Sequence, residues 1–324
     1  MEWTEEALDM HADTATESDL ESTSQPENEE TASKLNPHDE WHKLRSFHIY
    51  THPIGDIKRA IPVALEAHIN AVLRKGLDEP SPAAKVVTDV VGSAFGKNKA
   101  TAKFYLVPIL LYKAVPAHGI VHHWDFDLSQ EYLPSAPNTA VGKRNPGGLA
   151  PAQPDTILGY DADLARDDDL LFDMEGTRPS ENSFSLSENN IHFPWFTSQW
   201  TTSTGEPHDM AILRGARDGA CIVNYLHEYY ETAYKRPATP LEAHHISFTT
   251  DVATFRIWVH WREEDQSASH HYMKCILKGF LSDERDVSAV RRILDNLLTY
   301  AVGYRLRSIK DALPHWSRNV TQRA

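Results

Sequence analysis

At 324 residues, 24% charged and 41% hydrophobic, the chain has the composition of a folded globular protein with one large domain or two small ones. Its net charge of −14 is concentrated at one end: residues 1–40 carry thirteen Asp and Glu against one Lys, so the body is nearly neutral and bulk acidity says nothing about its partners. Two cysteines, Cys221 and Cys275, are too few for a disulfide framework or a thiolate zinc site, and no apolar run nears the roughly 20 residues that a membrane-spanning helix needs.

The first residues show no basic, apolar leader, so an intracellular protein of the cytoplasm or nucleus, away from membranes, is expected. Residues 1–40 are too poor in aliphatic side chains to offset the entropy of ordering and read as a disordered acidic tail, with Trp3, Leu8 and Met10 as a short docking motif at most. A single α/β domain is expected over 41–316, with a short tail over 317–324.

The spacing of Ile61, Leu65, Ile69, Val72 and Leu73 predicts a helix over 61–73, with Pro62 in its first turn and Gly76 just past its end. A weaker helix is expected over 83–95. Residues 103–111 and 114–122 read as two strands with a turn near Tyr112 and Lys113, Pro108 marking an edge or a bulge. Residues 134–154 form a long Pro/Gly-rich loop, and 175–190 a polar insertion. Short strands are expected around residues 155–160 and 193–202. A helix follows over 206–234, its buried stripe marked by Ile212, Ala216, Ala220, Val223 and Tyr230. Alternation predicts strands around 246–250, 254–261 and 272–280, the first two as a hairpin, and a last helix over 286–313.

The two strands that carry chemistry flank the 175–190 insertion. A Pro-Asp pair opening one strand, followed on the next by an acid, one residue, then a lysine, is the layout of a Mg²⁺-dependent nuclease site. The two acids hold the ion, and the lysine shares a strand face with the second acid because the pleat repeats every two residues. Pro154-Asp155 supplies the first part. The second strand has Gln199 and Thr201 where the acid and the lysine belong. Losing one preorganised electrostatic group costs about 3 kcal/mol of transition-state stabilisation, so two losses leave little activity.

The chain resembles a fungal domain of unknown function related to PD-(D/E)XK nucleases. The likeness rests on residues 154–161, 193–202, 215–230 (with Gly219-Ala220-Cys221-Ile222-Val223-Asn224) and 260–313, together with Trp258-Val259-His260-Trp261 and Tyr272-Met273. It implies a restriction-endonuclease-like core, a mixed sheet between helices, with Asp155 at the first acidic position. Gln199 and Thr201 depart from the family's acid and lysine, so the three are vestigial site positions.

A degenerate, catalytically inactive nuclease-like domain serving as a binding or interaction module is therefore expected, with no cofactor. One alternative is an active nuclease using Mg²⁺ and migrated acids, Asp155 joined by Asp161, Asp209, Glu206 or the Asp163, Asp167, Asp168 and Asp169 run. The other is a nucleic-acid or polyanion-binding module using the basic C-terminal helix: Arg291, Arg292, Arg305, Arg307 and Lys310. The helix dipole explains such residues equally well. The pairs His122-His123, His244-His245 and His270-His271 are poor chelates, since neighbours on a strand point to opposite faces; His123, Asp125 and Asp127 share a face and form the best of these candidates. Cys221 reads as a small buried hydrophobe, and Trp195, Trp200, Trp258 and Trp261 as packing rather than a base-stacking platform.

Overall fold

The computed structural model describes residues 36–52, 57–77, 80–81, 83–111, 120–135, 148–161, 186, 191–266 and 268–322. A mixed α/β architecture is present: seven strands form one mixed sheet with helices on both faces. The sheet runs β1 (Ile49–Tyr50), β7 (Ser269–Phe280), β6 (Thr254–Glu264), β5 (His245–Thr250), β4 (Ile191–Trp200), β3 (Thr156–Asp161) and β2 (Ile120–Trp124). The β1–β7 and β4–β5 pairs are parallel and the rest antiparallel. The β4–β5 crossover is the long helix α5 (His208–Tyr234).

Two apolar layers sandwich the sheet. On one face α5 and α1 (Pro37–Ser46) bury Leu44, Phe47, Met210, Leu213, Ala216 and Trp258. The opposite layer gathers α2 (Val63–His68, continued by a π turn over Ile69–Leu73), α3 (Ala84–Ala94), α4 (Lys99–Leu110) and α6 (Glu284–Tyr300) around Trp200, Phe248, Ile257 and Trp261, while α7 (Leu306–Thr321) packs against α5, where Tyr229 donates to Ile309 O. All ten residues of β4 are buried, as the central position of that strand requires. Gly219, inside α5, lets the helix press onto the sheet: a Cβ there would stand 2.0 Å from Nδ1 of His260.

Several expectations change. Residues 103–110 are not a strand but part of α4, which carries Pro108 within it and ends before the extended Leu111. The apolar run is longer than a strand needs, and Asn98 caps its start by accepting from the Thr101 N–H at 2.9 Å. Of the stretch read as a second strand, only Ile120–Trp124 is one, and 114–119 lie outside the described residues. The acidic tail lies outside them through Leu35, but its last residues, from Pro37, begin α1. The final helix does not stop before Pro314. After a π turn at Ala301–Arg305, α7 runs to Thr321, through most of the tail expected over 317–324, because Trp316 is buried and Asn319 donates to the carbonyls of Thr232 and Ala233. The 134–154 loop and the 175–190 insertion fall largely outside the described residues. No helix among the described residues is long and apolar enough to cross a membrane.

Candidate functional site

Asp155 sits immediately before β3, opposite Gln199 in the register that pairs Thr156 with Ser198. Its backbone N–H donates to Ser198 O at 2.9 Å, and its Oδ2 accepts from the Trp200 N–H at 2.7 Å, so it staples β4 on both sides of Gln199. The remaining oxygen, Oδ1, faces α4. Lys99 Nζ lies 2.5 Å from it and Lys103 Nζ 3.4 Å. The i, i+4 spacing puts both ammonium groups on one face of α4. Lys103 also donates to Asp125 Oδ1 at 2.8 Å and to the Asp155 carbonyl at 3.3 Å, and it lies 5.2 Å from the centre of the Trp124 ring. Asp125 reaches this position through a left-handed turn, φ 47°, at the end of β2. Asp155 and Lys103 are buried, while Lys99 and Asp125 reach solvent.

Gln199 turns its amide to α5. Nε2 donates to Asp218 Oδ2 at 2.6 Å and to Gln153 O at 2.7 Å, and Asp218 Oδ1 accepts from the Gln153 N–H at 3.1 Å. Asp218 is fully buried. Burial pushes its carboxyl up to about 6; the Arg217 charge and the bonds from Gln199 and Gln153 oppose this, and the Asp155 charge adds to it. Arg217 pairs with Glu40 of α1 at 3.2 Å. Thr201 binds back onto β5, its N–H donating to Thr250 O at 2.9 Å and its hydroxyl to the same carbonyl at 3.4 Å.

These residues do not fit Mg²⁺. An octahedral oxygen site needs free carboxylate oxygens. Those of Asp155 already face two ammonium groups and a backbone donor, and those of Asp218 accept from Gln199 and Gln153. Chemically the arrangement is a closed chain of charge-assisted bonds tying α4, β3, β4 and α5 together.

The proposed replacement acids do not join it. Glu206 is held by Arg214 at 2.6 Å, Asp209 lies in the first turn of α5, and neither hydrogen-bonds to Asp155 or Gln199. The Asp161 side chain and Asp163, Asp167, Asp168 and Asp169 lie outside the described residues. Asp125 pairs with Lys103, while His123 packs its ring 5.4 Å from Phe126, and no group of three metal-ligating side chains forms among the described residues. The other histidine pairs split between faces: His244 engages Leu241 O and His245 Thr197, while His270 engages Asp265 and His271 Asn224. Cys221 is buried, its thiol pushed up by desolvation, and the four tryptophans are core residues.

The basic C-terminal surface is smaller than expected. Arg291 is buried, bonding to Ser81 and Ile109 O, and Arg305 is buried against Pro194 O and His244 O. Only Arg307 of the five is well exposed, with Arg292 and Lys310 half-buried.

The sequence reading missed Lys99, Lys103 and Asp218. The first two were legible as lysines four apart behind a capping asparagine, once 99–110 is read as a helix; Asp218 stands one position before the glycine of the Gly219–Asn224 run. A family model described as Domain of unknown function (DUF7924) matches residues 99–313, a stretch that contains Lys99, Lys103, Asp155, Gln199 and Asp218. No curated protein and no solved structure matches the chain.

Proposed function

The chain belongs to the DUF7924 family, and we propose that its domain is a catalytically silent scaffold of PD-(D/E)XK nuclease type that works as a binding module. The observation that carries this reading is the occupancy of Asp155: both carboxylate oxygens are engaged, by the Trp200 N–H and by Lys99 and Lys103. An ammonium ion stands where a metal would have to approach, and the neighbouring motif position, Gln199, is a hydrogen-bond donor to Asp218 rather than a metal ligand. The kinship with fungal nuclease-like domains is supported by the Pro-Asp strand start, the partner strand and the Gly219–Asn224 run, and by Asp155 and Gln199 standing opposite each other on adjacent strands.

The test is incubation of the full chain with Mg²⁺ or Mn²⁺ and single- and double-stranded DNA and RNA. No cleavage above background is expected. Cleavage abolished by Asp155→Asn in a protein of unchanged melting temperature would overturn the reading.

A second reading is favoured by one observation. Two acids and a lysine, Asp155, Asp218 and Lys103, occur in one neighbourhood although not at the motif spacing, with the Asp155 charge felt at Asp218. In that reading the site is a nuclease centre with migrated residues, and the same assay decides between the two.

A further inference from the structure

The outer side of α1 carries two histidines one turn apart, His38 and His42. Asn36 caps the helix, its side chain accepting from the His38 N–H at 3.1 Å, so the first turn is fixed and the two side chains rise from one face at i and i+4. Their Nε2 atoms are 3.2 Å apart. Two imidazoles on a tetrahedral Zn²⁺, each about 2.0–2.1 Å from the ion, hold their nitrogens roughly 3.3 Å apart. The pair already stands at the spacing of a chelate.

A hydrogen bond between the rings would also bring them close. A straight N–H···N bond holds the ring centroids about 5.5 Å apart. Here they lie 4.4 Å apart, with the planes inclined by 69°. The nitrogens do not face one another squarely, so the contact gains little as a hydrogen bond.

The surroundings suit a cation. The His38 side chain is 68% exposed and His42 is exposed too, so an ion can reach them with its water. The Asp39 carboxylate lies 3.8 Å from Nδ1 of His38, the ring nitrogen turned away from the pair, where a carboxylate orients a ligating imidazole and offsets charge. Arg45 is engaged elsewhere, its guanidinium 4.9 Å from the centre of the Trp41 ring. Trp41 itself is anchored by donating to Thr51 O at 2.9 Å, and its ring packs edge-on against His42 with centroids 4.9 Å apart. That packing restricts the His42 ring, so less freedom is lost when an ion binds. Among the described residues no third ligating side chain joins the pair, which leaves water for the other positions, as at an open zinc site. Nitrogen donors suit Zn²⁺, Ni²⁺ and Cu²⁺ rather than the oxygen-seeking Mg²⁺.

We propose that His38 and His42 chelate Zn²⁺ or a chemically similar late transition ion, which pins the first turns of α1. The effect reaches the interior, because Glu40, between the two histidines, pairs with the buried Arg217 at 3.2 Å. This site is separate from Asp155 and goes beyond the binding-module reading.

The full chain is titrated with ZnCl₂ by calorimetry, beside His38→Ala, His42→Ala and the double variant. The chain holds 18 histidines, so the variants decide rather than binding alone. One saturable equivalent is expected, about tenfold or more weaker in either single variant, with the double variant losing little more, because removing either arm ends the chelate. Zn²⁺ should raise the melting temperature of the native chain more than that of His42→Ala. Cu²⁺ should bind the same pair more tightly, and Mg²⁺ should not bind it. Both positions are exposed, and melting temperatures without metal confirm that each variant is folded. A Zn²⁺ isotherm unchanged by both single substitutions assigns binding to other histidines and overturns the proposal. So does the absence of saturable binding, which leaves the pair a hydrogen-bonded contact, or fully additive losses, which show two independent ligands. Asp155→Asn should leave the Zn²⁺ isotherm as it is, so failure here does not bear on the silent-scaffold reading.

Discussion

Gln199 donates its side-chain amide to the Asp218 carboxylate at 2.6 Å, across the gap between β4 and α5. The residue that departs from the nuclease motif is thus matched to its surroundings: a carboxylate at that position would face a second buried carboxylate. Gln199→Glu is expected to lower stability by about 2–3 kcal/mol through like-charge contact and a lost hydrogen bond. Combining it with Asp218→Asn exchanges donor and acceptor and should recover most of the loss. A double-mutant cycle by urea denaturation measures this; additive losses would show that the two side chains do not interact.

Lys99 and Lys103 approach the same oxygen of Asp155 but differ in burial. Lys103→Met leaves a buried carboxylate short of a partner and is expected to cost about 3 kcal/mol. Lys99→Met, at a half-exposed position, should cost under about 1 kcal/mol. Equal losses in chemical denaturation would contradict the burial difference.

The two glycines on the sheet-facing side of α5 predict opposite outcomes. Gly219→Ala would drive a methyl group into the His260 ring and is expected to destabilise by more than about 3 kcal/mol, or to prevent folding. At Gly215 an added Cβ meets its nearest atom, in Thr249, at 3.4 Å, so Gly215→Ala should be neutral or gain up to about 1 kcal/mol from helix propensity. Thermal melts of the two variants check the pair. Rescue of Gly219→Ala by His260→Ala would confirm the clash.

Burial lowers the His260 and His271 rings from 6.5 to about 3. The unfolded chain takes up these protons near pH 6.5 and the folded chain does not, so the stability they support is present above pH 6.5 and is lost progressively as pH falls toward 3. Asp218, raised to about 6, acts in the opposite sense: its folded state prefers the proton, so it favours folding more at pH 4 than at pH 7. Net acid destabilisation is expected below pH 6.5, steeper in Asp218→Asn because the opposing contribution is gone. Melting temperatures across pH 4–8 would show otherwise if the variant's profile were the flatter one.

Parts of the fold were legible from periodicity. Alternation of Phe255, Ile257, Val259 and Trp261 placed β6, and the Ile212-to-Tyr230 stripe placed α5, because the apolar residues of each recur at the period of the element, even though the structure buries both faces of β6 and most of α5. α4 was misread for the converse reason: from Phe104 to Leu110 its exposed positions Phe104, Tyr105 and Pro108 are as apolar as the buried Leu106, Val107 and Leu110, and Pro108 interrupts it, so the helical period does not stand out. That error hid the site, since Lys99 and Lys103 converge on Asp155 only if 99–110 is helical. Asp155 and Gln199 were found because neighbouring strands bring a motif together in sequence-readable order. Asp218 and Glu40 join it through α5 and α1, long-range packing that leaves no local pattern.

The central claim is that the Asp155 site is closed by lysine and shut to metal. Isothermal titration of the full chain with Mn²⁺ tests it most directly, with Asp155→Asn run in parallel. The ion-pair arrangement predicts no saturable heat that depends on Asp155. A stoichiometric binding isotherm in the native chain, absent from a folded Asp155→Asn variant, would contradict it and restore the site to metal chemistry.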